Sequence, residues 1–208
     1  MYDALLFDLD GTLVDTESIA LETGLAAFAL QGHRVSRAFL ETLVGTDEPT
    51  AERLIRAAVP GIDLAAFNQS HAAAFSERLG QGLPLKPGVV QLLNATGVAA
   101  AVVTSSRRQS AHRKLAIAGI ASYFAHVITL EDVAAAKPAP DPYLLAARLF
   151  GVDPRRCLAF EDSEPGAEAA HRAGCVVVQV PDMVPSQGRF AHHLAPDLLT
   201  GARMAGLI

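Results

Sequence analysis

Residues 7–16 read FDLDGTLVDT, and the apolar run ALLF at residues 4–7 leads directly into them. The apolar run predicts a short buried strand that ends in a turn at Gly11. Because side chains alternate along an extended segment, Asp8 and Asp10 project to the same side. Two like charges this close repel each other unless a cation lies between them. The stretch therefore indicates a metal site, and phosphate chemistry is the commonest reason to hold one.

Two plainer explanations exist for the same residues. A Ca²⁺ loop of the EF-hand type needs an acidic or amide residue at its fifth position and Glu at its twelfth, and this chain has Thr12 and Ile19 there. Asp-Gly is also an ordinary turn pair. The choice between a turn and a functional site therefore depends on the rest of the chain.

The composition predicts a globular protein with one sizeable core and room for a second small unit. The chain has 208 residues, 50% of them hydrophobic, and a formal net charge of -5. The sequence has no basic patch, so we expect no nucleic-acid partner. It also has no apolar run of about 18 residues and no signal segment, so we expect a cytoplasmic protein without a membrane partner. Cys157 and Cys175 lie in apolar runs and are predicted to be buried, reduced thiols.

The pattern of the chain changes twice. From residue 16 to residue 83 the apolar residues recur at helical spacing, which predicts an all-helical unit of about four helices. After a Pro-rich link at residues 83–88, strands alternate with helices, which predicts a parallel sheet with right-handed crossovers. We therefore predict an α/β core, built from residues 1–15 and 84–208, with the helical unit 16–83 inserted after the first strand.

Three predicted strands stop at polar residues. The pairs that follow them are Asp8 with Asp10, Thr104 with Ser105, and Glu161 with Asp162. In open α/β sheets, ligands bind outside the carboxyl ends of the strands. These distant segments are therefore expected to share one crevice.

Such a crevice would be strongly acidic. Four carboxylates would face one candidate cation, Lys137, in the segment AKPAPD at residues 136–141. Charges about 4 Å apart interact by roughly 4 kcal/mol at an effective dielectric near 20, so a phosphate needs a divalent cation to enter. Oxygen ligands without His or Cys favour Mg²⁺, which is the cofactor that we expect.

These segments, in this order, resemble the haloacid dehalogenase superfamily. Within it the chain is similar to the β-phosphoglucomutase-like phosphatases, which carry a helical cap after the first strand. The resemblance covers nearly the whole chain. It rests on DLDGTLVDT at residues 8–16, VTSS at 103–106, AKPAPD at 136–141 and FEDS at 160–163.

The resemblance implies a role for each motif residue. Asp8 would be the nucleophile that forms an aspartyl-phosphate, and Asp10 would protonate the leaving oxygen and then deprotonate water. Phosphoryl oxygens would be held by Thr104, the N–H of Ser105 and Lys137.

The Gly11 turn would bring backbone N–H groups close to the phosphate. Mg²⁺ would be held by Asp8, the backbone carbonyl of Asp10 and Asp162, with Glu161 acting through water or in a purely structural role.

Specificity is expected to come from the cap, because a cap covers the site and excludes water during transfer. The candidates are Glu17, Thr46, Arg53 and His71, with Arg107 at the rim of the crevice. His71 lies between two phenylalanines at helical spacing, so packing is the competing explanation for it. A solvated helix start is the competing explanation for Arg107.

The leading hypothesis is Mg²⁺-dependent hydrolysis of a small phosphate monoester, such as a sugar phosphate, by a monomeric enzyme. The alternative is a β-phosphoglucomutase-type hexose-phosphate mutase. Mutases of that group usually have a His where Ala20 stands, a Trp shortly beyond it, and a Lys where Arg107 stands, and this chain has no Trp. A third hypothesis is a phosphate-binding protein without turnover.

Overall fold

The computed structural model describes residues 1–44 and 48–208. The chain divides into two compact units, one formed by residues 1–15 and 84–208 and the other by residues 16–83. Among the described helices, none is long and apolar enough to cross a membrane.

The first unit is built on a parallel sheet. Its strands are β1 (Ala4–Phe7), β2 (Ala99–Val103), β3 (Phe124–Ile128), β4 (Cys157–Glu161), β5 (Val176–Gln179) and β6 (His193–Leu194). They lie in the order β3-β2-β1-β4-β5-β6, and every neighbouring pair is parallel. The predicted α/β fold with a helical insertion after the first strand is confirmed.

The central strands form the core of this unit. All four residues of β1 and all five of β4 are buried, as expected for a parallel sheet that is covered on both faces. Phe7 on β1 stacks on Phe160 of β4 with their ring centroids 4.8 Å apart. Cys157 and Cys175 are buried, free thiols.

The helical unit contains α1 (Thr16–Leu30), α2 (Arg37–Glu41), α3 (Glu48–Ala58) and α4 (Leu64–Gly80). Side-chain oxygens cap two of these helices, because Ser36 accepts from the N–H of Phe39 and Asp63 accepts from the N–H of Ala66. Between α1 and α4, the rings of Phe28 and Phe67 lie 4.4 Å apart. Aromatic packing therefore holds the two longest helices together.

Five further helices flank the sheet, namely α5 (Val89–Ala95), α6 (Arg108–Ile117), α7 (Asp141–Phe150), α8 (Glu164–Ala173) and α9 (Leu198–Met204). The end of β4 differs from the prediction. β4 extends to Glu161, which was expected to follow the strand. The β4 extension is possible because Glu161 pairs with Gln179 of β5 and its buried carboxylate has partners of its own.

Candidate active site

The sheet order places the ends of β2, β1 and β4 side by side. Phe7 of β1 is in register with Val102 of β2 on one side and with Phe160 of β4 on the other. The N–H of Asp8 continues this pattern by donating to the Phe160 carbonyl at 2.9 Å. The polar residues that follow these three strands therefore lie at one edge of the sheet.

Lys137 lies at the centre of this edge. Its Nζ donates to Asp8 Oδ1 at 2.7 Å, to Glu161 Oε1 at 2.5 Å and to the Val103 carbonyl at 2.8 Å. An ammonium group has three hydrogens to donate, so these three bonds use all of them. The side chain is only 6% exposed, so the ammonium group is hydrogen-bonded to the protein and shielded from solvent.

The carboxylate of Glu161 accepts one of these hydrogen bonds from Lys137. Its side chain is fully buried, and Oε1 also accepts a hydrogen bond from the Tyr143 hydroxyl. Gly166 leaves the space that the carboxylate needs, because a Cβ on that residue would collide with it. The carboxylate of Glu161 is therefore fixed in place by groups of the protein.

Burial and charge shift the pKa values of this cluster. Burial raises the pKa of Asp8 to about 7, assisted by the Glu161 charge and opposed by Lys137. Burial by itself lowers the pKa of Lys137, but Asp8 and Glu161 outweigh it and raise that pKa above its ordinary value. Lys137 is therefore charged, and a further cation near Asp8 would favour the ionised form of its carboxylate.

Three carboxylates of this edge could hold such a cation. Asp8, Glu161 and Asp162 each offer an oxygen, and these oxygens lie within 4.8 Å of one another. A donor set made only of oxygen suits Mg²⁺. The residues therefore fit the expected ion.

Gly11 lies in the turn after β1, as expected. Its N–H donates to the Val14 carbonyl at 2.9 Å inside the turn, and the expected proximity of the turn to a phosphate stays a prediction. Its φ of 84° is a left-handed value, and a Cβ there would collide with the carboxylate of Asp162. Glycine is therefore needed for the turn and for the close approach of Asp162.

Asp10 has its own partners. Lys114 Nζ donates to Asp10 Oδ1 at 2.6 Å, and the Ser106 hydroxyl donates to Asp10 Oδ2 at 2.8 Å. The expectation of one cation at this edge is therefore wrong, because Lys114 is a second one.

Thr104 and Ser105 lie in the loop after β2. Thr104 is buried, and its Oγ1 accepts the N–H of Ser106 at 3.0 Å, which fixes the turn. Because Oγ1 is the acceptor in this bond, its hydroxyl hydrogen can still be donated to a ligand. Ser105 is exposed at the tip of the loop.

The remaining specificity candidates come from separate segments of the chain. Glu17 lies in the first turn of α1, Arg53 is exposed on α3, and Thr46 lies outside the described residues. Arg107 is an exposed residue at the start of α6 and lies 4.0 Å from Glu131. None of these positions identifies a substrate group.

His71 packs inside the helical unit. Its ring lies 5.7 Å from the ring of Phe67 and 6.5 Å from that of Phe75, and its Nε2 is 3.1 Å from the Ala20 carbonyl. Burial lowers the pKa of His71. These contacts agree with the packing explanation for this residue.

Comparison with known proteins identifies the family. A family model described as haloacid dehalogenase-like hydrolase matches residues 2–174. The chain belongs to this family. The resemblance inferred from the four motifs is thereby confirmed.

This haloacid dehalogenase-like hydrolase is similar to several characterised proteins along most of its length. It is 31% identical to protein CbbY of Rhodobacter capsulatus, over 97% of this chain and 96% of CbbY. It is 35% identical to hexitol phosphatase A of Escherichia coli, over 84% of this chain and 81% of that protein. The crystal structure of CbbY from Rhodobacter sphaeroides with xylulose-(1,5)bisphosphate matches it with a TM-score of 0.75 and 26% identity, over 100% and 99% of the two chains.

Two buried side chains of this hydrolase were absent from the sequence prediction. Lys114 contacts Asp10, and Tyr143 contacts Glu161. A signal for Lys114 does exist in the sequence, since it lies between Ala111 and Leu115 on the apolar face of α6. Tyr143 directly follows the segment KPAPDP, but nothing in the sequence indicates which group its hydroxyl contacts.

Proposed function

We propose that this hydrolase is a Mg²⁺-dependent phosphatase that hydrolyses a small phosphate monoester of the sugar-phosphate class. One observation carries the proposal above all others: the buried Asp8 pairs with Lys137 beside Asp162 at the carboxyl edge of the sheet. The names of hexitol phosphatase A and of CbbY with its bound sugar bisphosphate support the substrate class. Action as a cytoplasmic monomer stays a prediction.

The first half of the reaction uses both aspartates of the N-terminal motif. A carboxylate oxygen of Asp8 attacks phosphorus and forms an O–P bond. The P–O bond to the leaving alcohol breaks, and its electron pair stays on the alcohol oxygen, which takes a proton from Asp10. Asp8 then carries the phosphoryl group as an aspartyl-phosphate.

The second half restores the enzyme. Water attacks phosphorus and gives a proton to the Asp10 carboxylate. The bond between phosphorus and Asp8 breaks, and its electron pair returns to the Asp8 carboxylate. Inorganic phosphate leaves, and both aspartates have regained their starting protonation.

Other residues of the edge would hold the phosphoryl group and its charge. Thr104 would donate its hydroxyl, Ser105 its backbone N–H, and Lys137 would neutralise charge beside Asp8. Asp8, Asp162 and the backbone carbonyl of Asp10 would hold Mg²⁺, with Glu161 fixing Lys137 behind them. When bound, Mg²⁺ would draw negative charge from the phosphoryl oxygens and favour the ionised form of Asp8.

The test is phosphate release by the purified protein. With Mg²⁺, the wild type is expected to release phosphate from members of a sugar-phosphate panel and from p-nitrophenyl phosphate, and EDTA is expected to stop it. Asp8→Asn removes the nucleophile and should lower kcat by at least about 10⁴-fold without a change in circular dichroism. Asp153→Asn, at an exposed ion pair with Arg155, is the control and should retain full activity.

Full activity in the Asp8→Asn variant would show that the nucleophile is another residue. A separate assay addresses the mutase: β-glucose 1-phosphate is supplied with a trace of the 1,6-bisphosphate. Rapid formation of glucose 6-phosphate without phosphate release would replace the phosphatase by a mutase. No phosphate release from any substrate of the panel, together with no isomerisation of β-glucose 1-phosphate, would contradict both.

A further inference from the structure

The carboxylate of Asp10 is held in a closed triangle of hydrogen bonds. Lys114 Nζ donates to Asp10 Oδ1 at 2.6 Å and to Ser106 Oγ at 2.9 Å, and Ser106 Oγ donates to Asp10 Oδ2 at 2.8 Å. Both oxygens of the carboxylate are therefore tied to the loop after β2 and to α6. Neither Lys114 nor this triangle has a part in the proposed reaction above.

The burial of the two charged groups differs. The side chain of Lys114 is 8% exposed, whereas that of Asp10 is 30% exposed. A buried lysine costs free energy unless it is paired and hydrogen-bonded, so its position on the apolar face of α6 depends on Asp10 and Ser106. The triangle thus anchors the carboxylate from the protein side while part of it stays accessible.

We propose that Lys114 is a positioning residue, which together with Ser106 holds the Asp10 carboxyl group in the orientation for proton transfer, from its protonated form to the leaving oxygen and from water to its ionised form. This inference rests on the proposed phosphatase function. A free aspartate side chain turns about two bonds, and a displacement of about 1 Å can cost a reaction a factor of about 10². The triangle removes that freedom, because rotation of the carboxylate would break two bonds to charged or polar partners at once.

Such a role predicts a dependence on the leaving group. A sugar alkoxide is a strong base and needs a proton as its bond to phosphorus breaks, whereas p-nitrophenolate leaves readily without one. Disorientation of Asp10 should therefore slow phosphoryl transfer from the sugar phosphate far more than from the aryl phosphate. This transfer is reported by kcat/KM, because hydrolysis of the aspartyl-phosphate, in which Asp10 accepts a proton from water, is common to both substrates. A lysine that merely stabilised α6 would affect both substrates equally.

The experiment compares Lys114→Met with wild type on both substrates. For the best sugar phosphate of the panel, kcat/KM should fall about 10- to 100-fold. For p-nitrophenyl phosphate, kcat/KM should fall by less than about threefold. Arg113→Met is the control. It removes a positive charge from the residue that precedes Lys114 in α6, which is exposed, and it should leave both rates unchanged.

Two further variants keep the test decisive. Ser106→Ala removes the two bonds of the triangle that involve Ser106 Oγ but keeps the ion pair of Lys114 with Asp10, so it should show the same selective loss at a smaller size even if Lys114→Met fails to fold. In an Asp10→Asn background, Lys114→Met should cause no further loss on the sugar phosphate, because its effect passes through Asp10.

Equal losses on the two substrates, or a further loss in the Asp10→Asn background, would overturn the positioning role. No loss in either Lys114→Met or Ser106→Ala would also overturn it. These results are distinct from failure of the proposed function, in which the wild type itself would release no phosphate from any substrate.

Discussion

Lys137 in the α/β unit and His71 in the helical unit are both shielded basic side chains, yet their surroundings are opposite. Lys137 is held by two carboxylates and a carbonyl, with its Nζ 2.7 Å from Asp8. His71 lies between the rings of Phe67 and Phe75 and contacts one carbonyl. The pKa of Lys137 is raised by its carboxylates despite burial, whereas burial lowers the pKa of His71.

The difference teaches that burial by itself does not decide whether a basic group is charged. Burial favours the neutral form of both residues, and only Lys137 has carboxylate partners that reverse this preference. Charge is therefore concentrated at the carboxyl edge of the sheet, where the proposed reaction would bind and transfer the phosphoryl group. The helical unit is instead stabilised by apolar and aromatic contacts.

The largest expected effect comes from removing the positive charge of Lys137 from between Asp8 and Glu161. Lys137→Met leaves the carboxylates of Asp8 and Glu161 buried without their cation, so the free energy of unfolding should fall by about 3–5 kcal/mol. Urea denaturation without Mg²⁺, followed by circular dichroism, measures this. Lys86→Met is the matched control, because its partner is a single carboxylate, Asp182, and its side chain is 21% exposed.

The loss in Lys86→Met should be clearly smaller than in Lys137→Met. Equal losses in the two lysine variants would mean that the second carboxylate and deeper burial of Lys137 contribute nothing.

A smaller effect is expected from one glycine substitution made in each unit. Gly11 and Gly61 have nearly the same left-handed φ, 84° and 85°, but a Cβ at Gly61 meets nothing within 4 Å whereas one at Gly11 collides with Asp162. Both Ala variants should lose about 1–3 kcal/mol of stability from the strained backbone. Only Gly11→Ala should also weaken Mg²⁺ binding, by at least about tenfold, because it displaces a proposed ligand.

Calorimetric titration of each Ala variant with Mg²⁺ measures the second effect without any substrate. Equal Mg²⁺ affinities in Gly11→Ala, Gly61→Ala and wild type would argue against a role of Asp162 in holding the ion.

The smallest expected effect is a change in the pH dependence of Tm when His71 is replaced. Because the pKa of folded His71 lies below the unfolded value of about 6.5, the unfolded chain binds more protons between those two values. The stabilising contribution of His71 is therefore complete above about pH 6.5 and is lost as the pH falls towards its folded pKa. His71→Asn should reduce the drop in Tm between pH 7.5 and pH 5.5.

His112→Asn, an exposed histidine on α6, serves as the control and should leave the pH dependence of Tm unchanged. If His71→Asn had the same pH dependence as wild type, His71 would not be the group that is neutral in the folded state.

The sequence predicted most of the fold because local signals were strong. The apolar run stopped by Asp8 gave the end of β1, and glycines with left-handed φ, Gly151 and Gly174, end α7 and α8. A strand limit was harder to predict where the burial of its last residue depends on partners from other segments of the chain. Glu161 continues β4 because groups from other segments satisfy its carboxylate.

The sequence by itself determined the motif order, the family resemblance and the convergence of the strand ends, because strand polarity and apolar periodicity are local properties of the chain. Only the tertiary structure decided which polar side chains pair with each other. Lys114 is separated from Asp10 by 104 residues, and its buried charge is satisfied by Asp10 together with Ser106 from the loop after β2. Such pairings depend on side-chain geometry between distant segments, and no spacing in the sequence encodes that geometry.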